Sequence, residues 1–361
     1  MAIADLYNDA PSPAPLPPDP SAGDDQSLEK FRRCIKSVRT RKGEKMQDAL
    51  HIPVALDRCI ALLSPAIEAR SNPVIVDATL GMGGHTKALL LKFPNLKIIA
   101  LDRDLSAIAI ATTNLSELSS RVEIIHAVYD ELDEVLSKLG ITEVDGILFD
   151  LGVSSMQLDQ ADRGFAYSQD APLDMRMDQS SGPSALDILN TYSYGELVRV
   201  IRNYGEEKFA TKIADNIIKA RESATLKTTK DLAELVKNSI PAPARRTGGN
   251  PAKRTFQALR IEVNQELAVL ERAIPKAIRA IRIGGRLVVM SYQSLEDKIV
   301  KRAFTDVIGS NSPLGLPFDL PNSAASYKLI ISGSEGASDS EIEVNARAQS
   351  MRLRALERVA A

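Results

Sequence analysis

A glycine-rich loop follows the apolar run 74–76 and precedes a helical pattern, in the string Asp77-Ala-Thr-Leu-Gly-Met-Gly-Gly-His85. Glycines let a backbone approach a ligand closely, and the N-terminus of the following helix favours a negative group. A nicotinamide-dinucleotide loop would have the spacing G-x-G-x-x-G, but Thr86 stands at the third glycine position. The acid before the first glycine instead suits a nucleoside that carries an amino acid, because a carboxylate there can orient an ammonium group. The loop therefore indicates an S-adenosylmethionine site, although a tight structural turn would use the same residues.

Two acidic residues end predicted strands at the edge where open α/β sheets bind ligands. Asp102 closes the apolar stretch 98–101, and an acid there can accept hydrogen bonds from both ribose hydroxyls. The alternative is a helix cap, for which Asp104 is the better candidate. Asp150 closes the fourth strand, predicted over 145–150. Its position at the switch point of the sheet indicates a functional carboxylate.

A basic loop over 241–260 has the chemistry to hold phosphate, since it contains no acid and is loosened by two glycines and a proline. Its basic residues are Arg245, Arg246, Lys253, Arg254 and Arg260. Arginine forks match phosphate oxygens in pairs, so we predict a clamp for an RNA backbone, with a solvated surface loop as the alternative. Aromatic residues make up 4% of the chain and tryptophan is absent, which argues against an extended base-stacking platform.

Alternating strand and helix patterns from about residue 52 to 150 predict a doubly wound parallel sheet with right-handed crossovers. The alternation then stops, and helical patterns over 185–189, 194–202, 208–221 and 229–239 predict an inserted helical domain. The α/β pattern returns with a helix over 261–283, a strand over 286–291, a helix over 295–304 and a strand candidate over 327–331. A basic tail follows, with Arg347, Arg352, Arg354 and Arg358.

The composition is that of a globular protein, with 44% apolar and 25% charged residues among 361. The 45 basic and 47 acidic side chains give a net charge of −2, which excludes a chain held on nucleic acid by bulk charge. Two cysteines and three histidines are too few for a disulfide framework or a zinc cluster. No apolar run is long enough for a membrane helix, and no signal-peptide pattern is present, so we expect a cytoplasmic protein that does not bind a membrane.

With these residues in view, the chain resembles the bacterial small-subunit ribosomal RNA cytosine-N4 methyltransferases of the MraW or RsmH type. The resemblance runs from about His51 to Arg358. It rests on the strings HIPVALD, DATLGMGGHT, ALDRD, DGILFDLGVSS, DRGFAY, PLDMRMD, NYGEEKFA, PAKRTFQALRIEVN, GGRLVVMSYQSLED and NARAQSMRLRALER. It implies a Rossmann-like class I S-adenosylmethionine-dependent methyltransferase sheet with an inserted helical substrate domain.

We accordingly expect a Pro-rich, acidic and then basic extension over 1–46, a methyltransferase domain over 47–153 and 258–361, and an RNA-recognition insertion over 154–257. The basic part of the extension is either a solvated segment or an arm on RNA phosphate. The resemblance assigns cofactor contacts to Gly83, Gly84, His85, Asp102, Tyr129, Asp150 and Gln157. It implies as partner the small-subunit RNA, free or in the assembled small ribosomal subunit. The insertion also offers a surface through which two chains could form a homodimer.

The implied reaction needs mostly positioning, because the cofactor sulfonium already activates the methyl group and the cytosine amine is a poor nucleophile. No metal is required. Ser154, Ser291 and Tyr292 are candidates for gripping the amine or the base. The family usually has S-F-H-S-L-E-D after the last strand, whereas Gln293 stands here in place of the histidine, so proton shuttling at that position is not expected.

Two other functions fit parts of the sequence. A non-catalytic ribosome-assembly factor would keep the cofactor fold only for binding, and Gln293 favours that reading. A nicotinamide-dependent oxidoreductase would share the sheet and Asp102, but the glycine spacing disfavours it.

Overall fold

Seven strands form a single sheet in the computed structural model, which describes residues 53–223, 225–246, 250–309 and 325–361. The strand order is β3-β2-β1-β4-β5-β7-β6. The strands are β1 (Val74–Asp77), β2 (Lys97–Asp102), β3 (Val122–His126), β4 (Val144–Asp150), β5 (Ile281–Ser291), β6 (Tyr327–Leu329) and β7 (Arg352–Arg358). Strands β1 to β5 are parallel, whereas β7 runs antiparallel between β5 and β6. The predicted doubly wound sheet is confirmed.

The sheet lies between two helical layers, each with its own apolar core. The helices are α1 (Leu56–Glu68), α2 (Gly84–Lys92), α3 (Leu105–Asn114), α4 (Leu132–Lys138), α5 (Ser155–Asp159), α6 (Ala185–Thr191), α7 (Tyr194–Gly205), α8 (Ala210–Glu222), α9 (Thr229–Ser239), α10 (Lys253–Asn264), α11 (Glu266–Ala280), α12 (Ser294–Val307) and α13 (Asp339–Val344). Successive strand residues point to opposite faces, so Ile75 packs with α1 and α2 while Val76 packs with α4 and α11. Both faces are therefore buried, as parallel sheets require.

Helices α6 to α10 surround a third apolar core, which is built from residues between Phe165 and Val263. This is the predicted helical insertion. The expected boundary at residue 257 lies inside α10, and Leu259 and Val263 still pack in the third core. We therefore propose that the insertion extends to Asn264. The expected extension over 1–46 lies outside the described residues.

Two elements differ from the sequence prediction. The single helix expected over 261–283 consists of the end of α10, α11 and the beginning of β5, because Gln265 adopts a left-handed conformation (φ 51°) and ends α10. The expected basic tail is largely strand β7, with Leu353 and Ala355 fully buried. Its arginines are neutralised by acids from other elements: Arg354 pairs with Asp297, and Arg358 with Glu143. The arginines of β7 therefore made its buried apolar residues difficult to recognise in the sequence.

Within the described ranges, none of the helices has the length and apolar character that crossing a membrane requires.

Candidate active site

A cleft of about 1130 Å³ opens at the carboxyl ends of β1, β2, β4 and β5 and extends to the helical insertion. All seven predicted cofactor residues line it: Gly83, Gly84, His85, Asp102, Tyr129, Asp150 and Gln157. Ser154, Tyr292, Gln293 and Lys253 line it as well. The topology explains this convergence, because the carboxyl ends of adjacent parallel strands share one edge of the sheet.

The glycine loop forms a tight wall of the cleft. Gly81 and Gly83 have positive φ angles of 53° and 83°, which glycine adopts without steric cost. A Cβ atom on Gly84 would lie 2.4 Å from Pro53 Cγ, so the loop packs directly against the segment that precedes α1. Helix α2 begins at Gly84, and its N-terminal N–H groups therefore face the cleft. This end of the cleft suits a negatively charged group.

Asp102 is held in place by backbone N–H groups. Gly81 N donates to Asp102 Oδ2 at 2.7 Å, and Asp104 N donates to Oδ1 at 2.8 Å. Burial raises the pKa of this carboxyl. Each oxygen keeps a second lone pair, so the carboxylate can still accept from hydroxyl groups in the cleft. The helix-cap role falls to Asp104, which accepts from Ser106 N at 3.0 Å.

The carboxyl of Asp150 has a pKa well above its ordinary value of 3.8. Burial raises its pKa to about 6, while the hydroxyl of Tyr292, which donates to Oδ1 at 2.7 Å, counteracts that rise. His85 Nδ1 lies 3.8 Å from Asp150 Oδ2. Burial lowers the pKa of His85, so the imidazole is neutral at pH 7 and this contact is not an ion pair. The ionisation of Asp150 is thus set by burial and by Tyr292.

Asp77, the acid before the glycine loop, is buried and does not lie where the sequence analysis expected it, in the cleft. Asp77 is 1% exposed and is not among the described residues that line the cleft. Its carboxylate accepts from Thr86 Oγ1 at 2.7 Å and from Thr79 N at 3.2 Å. Thr86, which breaks the dinucleotide spacing, therefore anchors Asp77 under the loop. The geometry supports a structural role for Asp77 rather than contact with an ammonium group.

A buried network that sequence reasoning missed lies beside Asp102. Asp104 Oδ2 accepts from Gln157 Nε2 at 2.8 Å and from Arg163 Nη2 at 2.9 Å. Arg163 is 2% exposed and also donates to the carbonyl oxygens of Arg176 and Met177. The network joins the β2–α3 turn to the beginning of the insertion. An internal arginine has no local sequence signal, although the string DRGFAY contains it.

The wall of the cleft that the insertion forms combines basic and aromatic side chains. Lys253, Gln257 and Arg260 of α10 line it, together with the aromatic rings of Phe165, Tyr167 and Phe256. Tyr167 and Phe256 pack edge to face, with their ring centroids 5.8 Å apart. Arg260 forms a bidentate pair with Glu266, with both N···O distances at 2.8 Å.

Arg245, Arg254 and Ser291 are not among the described residues that line the cleft. Arg245 Nε donates to Ile240 O at 2.6 Å, and Arg254 Nη1 donates to Glu206 O at 3.0 Å. The backbone of Arg246 is part of a short 3₁₀ turn, and its side chain lies outside the described part of the structure. Ser291 is buried, and its hydroxyl donates to Arg352 O at 3.3 Å.

The residues of the cleft fit S-adenosylmethionine. Asp102 offers a hydroxyl acceptor, Asp150 offers a carboxylate for an ammonium, and the N-terminus of α2 offers N–H donors for a carboxylate. Tyr129, packed edge to face on Phe149 with ring centroids 5.5 Å apart, gives an aromatic wall next to them. The fold and this site define a Rossmann-like, S-adenosylmethionine-dependent methyltransferase.

Comparison with known proteins narrows the class to one family. The MraW methylase family model matches residues 48–359, and the chain belongs to that family. It is 55% identical to the ribosomal RNA small subunit methyltransferase H of Renibacterium salmoninarum, over 86% of this chain and 95% of that protein. It is also 55% identical to the protein of that name from Salinispora tropica, over 86% of this chain and 84% of that one. Among solved structures, an rRNA methylase from Streptococcus thermophilus is 12% identical and covers 86% of this chain and 99% of its own, with a TM-score of 0.40.

Proposed function

We propose that this protein methylates the exocyclic N4 amine of a specific cytidine in small-subunit (16S) ribosomal RNA, with S-adenosylmethionine as the methyl donor. The observation that carries the proposal is a single cleft that joins the glycine loop and Asp102 to the Lys253–Arg260 face of the insertion. Relatives 55% identical to this chain are named ribosomal RNA small subunit methyltransferase H, which supports the RNA as substrate.

In this proposal the cofactor lies along the sheet edge. Asp102 accepts from the ribose hydroxyls, Tyr129 packs beside the adenine, and the loop Gly83-Gly84-His85 surrounds the methionine moiety. Asp150 binds the ammonium when ionised, and Gln157 closes this side of the site. Gln157 is held for that role by its hydrogen bonds to Asp104 and to Ser154 N.

Once bound, the cofactor supplies an activated methyl group on a sulfonium. The protein then has to place the cytosine amine in line with the methyl–sulfur bond and to keep water out. Of the three residues predicted to grip the amine or base, Tyr292 is best placed. Its side chain lines the cleft, and its hydroxyl donates to Asp150, which leaves the hydroxyl oxygen to accept from the amine. Ser154 also lines the cleft, but its hydroxyl already accepts from Gln157 N. The hydrogen bond of Ser291 to Arg352 O makes it the weakest candidate.

The insertion is proposed to hold the RNA backbone on either side of the target nucleotide, which must leave its stack to reach the cleft. Arg245, Arg246, Lys253 and Arg254 would supply the cationic contacts. We further propose that the protein acts in the cytoplasm on small-subunit RNA, either free or within the assembled small subunit. Pairing of two chains through the insertion stays a proposal, which sedimentation of the purified protein would test.

Methyl transfer from labelled cofactor to small ribosomal subunits that lack the modification tests the function. Digestion of the RNA should yield labelled N4-methylcytidine at one position. Bound cofactor with no incorporation into RNA would overturn the proposal and favour the non-catalytic assembly factor.

A further inference from the structure

The segment between β6 and β7 forms part of the cleft lining through a 3₁₀ turn over Ala346–Ser350. Ala346, Arg347, Gln349 and Ser350, in the 3₁₀ turn before β7, line the cleft. The turn is anchored from below, because Ala348 and Met351 are buried in the core shared with α1 and α2. Asn345 Oδ1 caps the turn by accepting from the N–H of its second residue, Arg347, at 3.2 Å. The side chain of Arg347 is therefore presented from a fixed backbone.

Arg347 differs from Arg354 and Arg358 in what it faces. Arg354 and Arg358 are largely buried in pairs with Asp297 and Glu143 inside the methyltransferase domain. Arg347 is 40% exposed, lines the cleft, and pairs with Asp159 at the end of α5 at 3.1 Å. Asp159 is itself 66% exposed. An exposed pair of this kind contributes little to stability and exchanges readily for a better partner.

We propose that Arg347 binds an RNA phosphate next to the target nucleotide and that Asp159 occupies this anion site while RNA is absent. The inference rests on the proposed function and adds a second RNA-contacting segment to the cleft, besides α10. A phosphodiester offers the guanidinium two oxygens in a matching fork, which makes it a competent replacement for the aspartate. Lys253 and Arg347 both line the cleft, so the backbone of a strand that delivers one base into it would meet a cation from each of the two segments.

The test compares RNA affinity in variants whose predicted effects have opposite signs. Arg347→Ala should weaken binding of unmodified small-subunit RNA roughly threefold to tenfold and reduce the slope of log K against log salt by about 1. Asp159→Asn should strengthen binding, because the arginine no longer has a competing partner. If the ion pair were only structural, both substitutions would change RNA affinity in the same direction, and that result would overturn the proposal.

Arg58→Ala is the matched control. Arg58 forms a similarly exposed pair with Glu335 (44% and 40% exposed), close to the same segment but outside the residues that line the cleft. RNA affinity should be unchanged in this variant. Equal losses in Arg347→Ala and Arg58→Ala would contradict a specific phosphate contact.

The double variant Arg347→Ala/Asp159→Asn separates competition from simple repulsion of RNA by Asp159. The gain from Asp159→Asn should disappear when Arg347 is absent, and an equal gain in both backgrounds would refute the competition. Cofactor affinity, measured by calorimetry, should be unchanged in Arg347→Ala. A loss there with normal RNA binding would assign Arg347 to the cofactor carboxylate instead. Binding is measured apart from methyl transfer, so a wild-type protein without transferase activity would refute the proposed function while the binding comparison still decides Arg347.

Discussion

The two walls of the cleft are built in different ways. On the sheet side, the carboxylate of Asp102 is half-buried and is fixed by backbone N–H groups of neighbouring turns. On the insertion side, Lys253 and Arg254 are exposed, and Arg254 contacts a backbone carbonyl rather than an acid. A small cofactor needs preorganised polar groups, whereas an RNA backbone needs charge that can adapt. We therefore expect substitutions on the sheet side to have large effects that salt does not change, and those on the insertion side to have small effects that salt does change.

The largest effect should come from Asp102→Ala. Removing the carboxylate deprives two ribose hydroxyls of their acceptor, and hydrogen bonds to charged groups contribute about 1.5–3 kcal/mol each. We expect cofactor affinity to fall by at least about 100-fold, measured by calorimetry, with little dependence on salt. Asp133→Ala, at an exposed acid on α4, is the control and should bind cofactor normally. Wild-type affinity in Asp102→Ala would show that the ribose lies elsewhere.

A pair of glycine substitutions compares the two regions directly. Gly84→Ala places a Cβ atom 2.4 Å from Pro53, so the loop must shift at a cost of about 1–3 kcal/mol, and cofactor affinity should drop with stability. Gly195→Ala, in α7 of the insertion, meets no atom within 4 Å and should stabilise by about 0.5–1 kcal/mol. Thermal unfolding and calorimetry measure both. Equal tolerance at the two positions would contradict a tight loop.

The raised pKa of Asp150 predicts a pH dependence. Its ordinary value is 3.8 and its folded value is about 6, so the folded protein binds more protons than the unfolded chain between these values. The resulting stabilisation is complete below pH 3.8 and is lost as the pH rises through about 6. Asp150→Asn cannot titrate and therefore lacks this pH dependence. As the pH rises from about 4 to about 6, the unfolding free energy of the variant should increase by about 1–3 kcal/mol relative to that of the wild type. Urea titrations at each pH measure it.

The same carboxyl should govern cofactor binding. Wild-type affinity should decline as the pH falls below about 6, because the protonated acid no longer attracts an ammonium. Tyr292→Phe removes the hydrogen bond that counteracts the rise in pKa, so the inflection should move to higher pH. A profile with the same inflection in Tyr292→Phe would argue that the hydroxyl does not control Asp150.

The smallest single-residue effect should be that of Lys253→Ala. One lost phosphate contact should reduce RNA affinity a few-fold at moderate salt and lower the salt slope by about 1, with cofactor affinity unchanged. Lys212→Ala, on the exposed side of α8, serves as the control within the same domain. Removing Arg245, Arg246 and Arg254 as well should add to the loss. Weakened cofactor binding instead would refute the assignment of these residues to RNA.

Much of the sheet side could be predicted because its signals are local. A buried parallel strand appears as a short apolar run, and the residue that ends it must lie at the ligand edge, as Asp102 and Asp150 do. The helices of the insertion were likewise visible from their spacing. Strand β7 was not, since its arginines find their acids only in the folded protein. Asp77 illustrates a related limit: the sequence shows that it precedes the loop, but not that its carboxylate accepts a hydrogen bond from Thr86.

The sequence by itself determined the alternation of strands and helices, the glycine loop, the acids at strand ends and the existence of an insertion, because each depends on neighbouring residues or on a fixed periodicity. Only the tertiary structure decided which side chains face the cleft. In the folded protein Arg163 is buried against Asp104, the Ser291 hydroxyl donates to Arg352 O, and Arg347 lines the same cleft as Lys253. Such contacts join residues far apart in the chain, and their direction depends on how the insertion and the β6–β7 segment pack on the sheet.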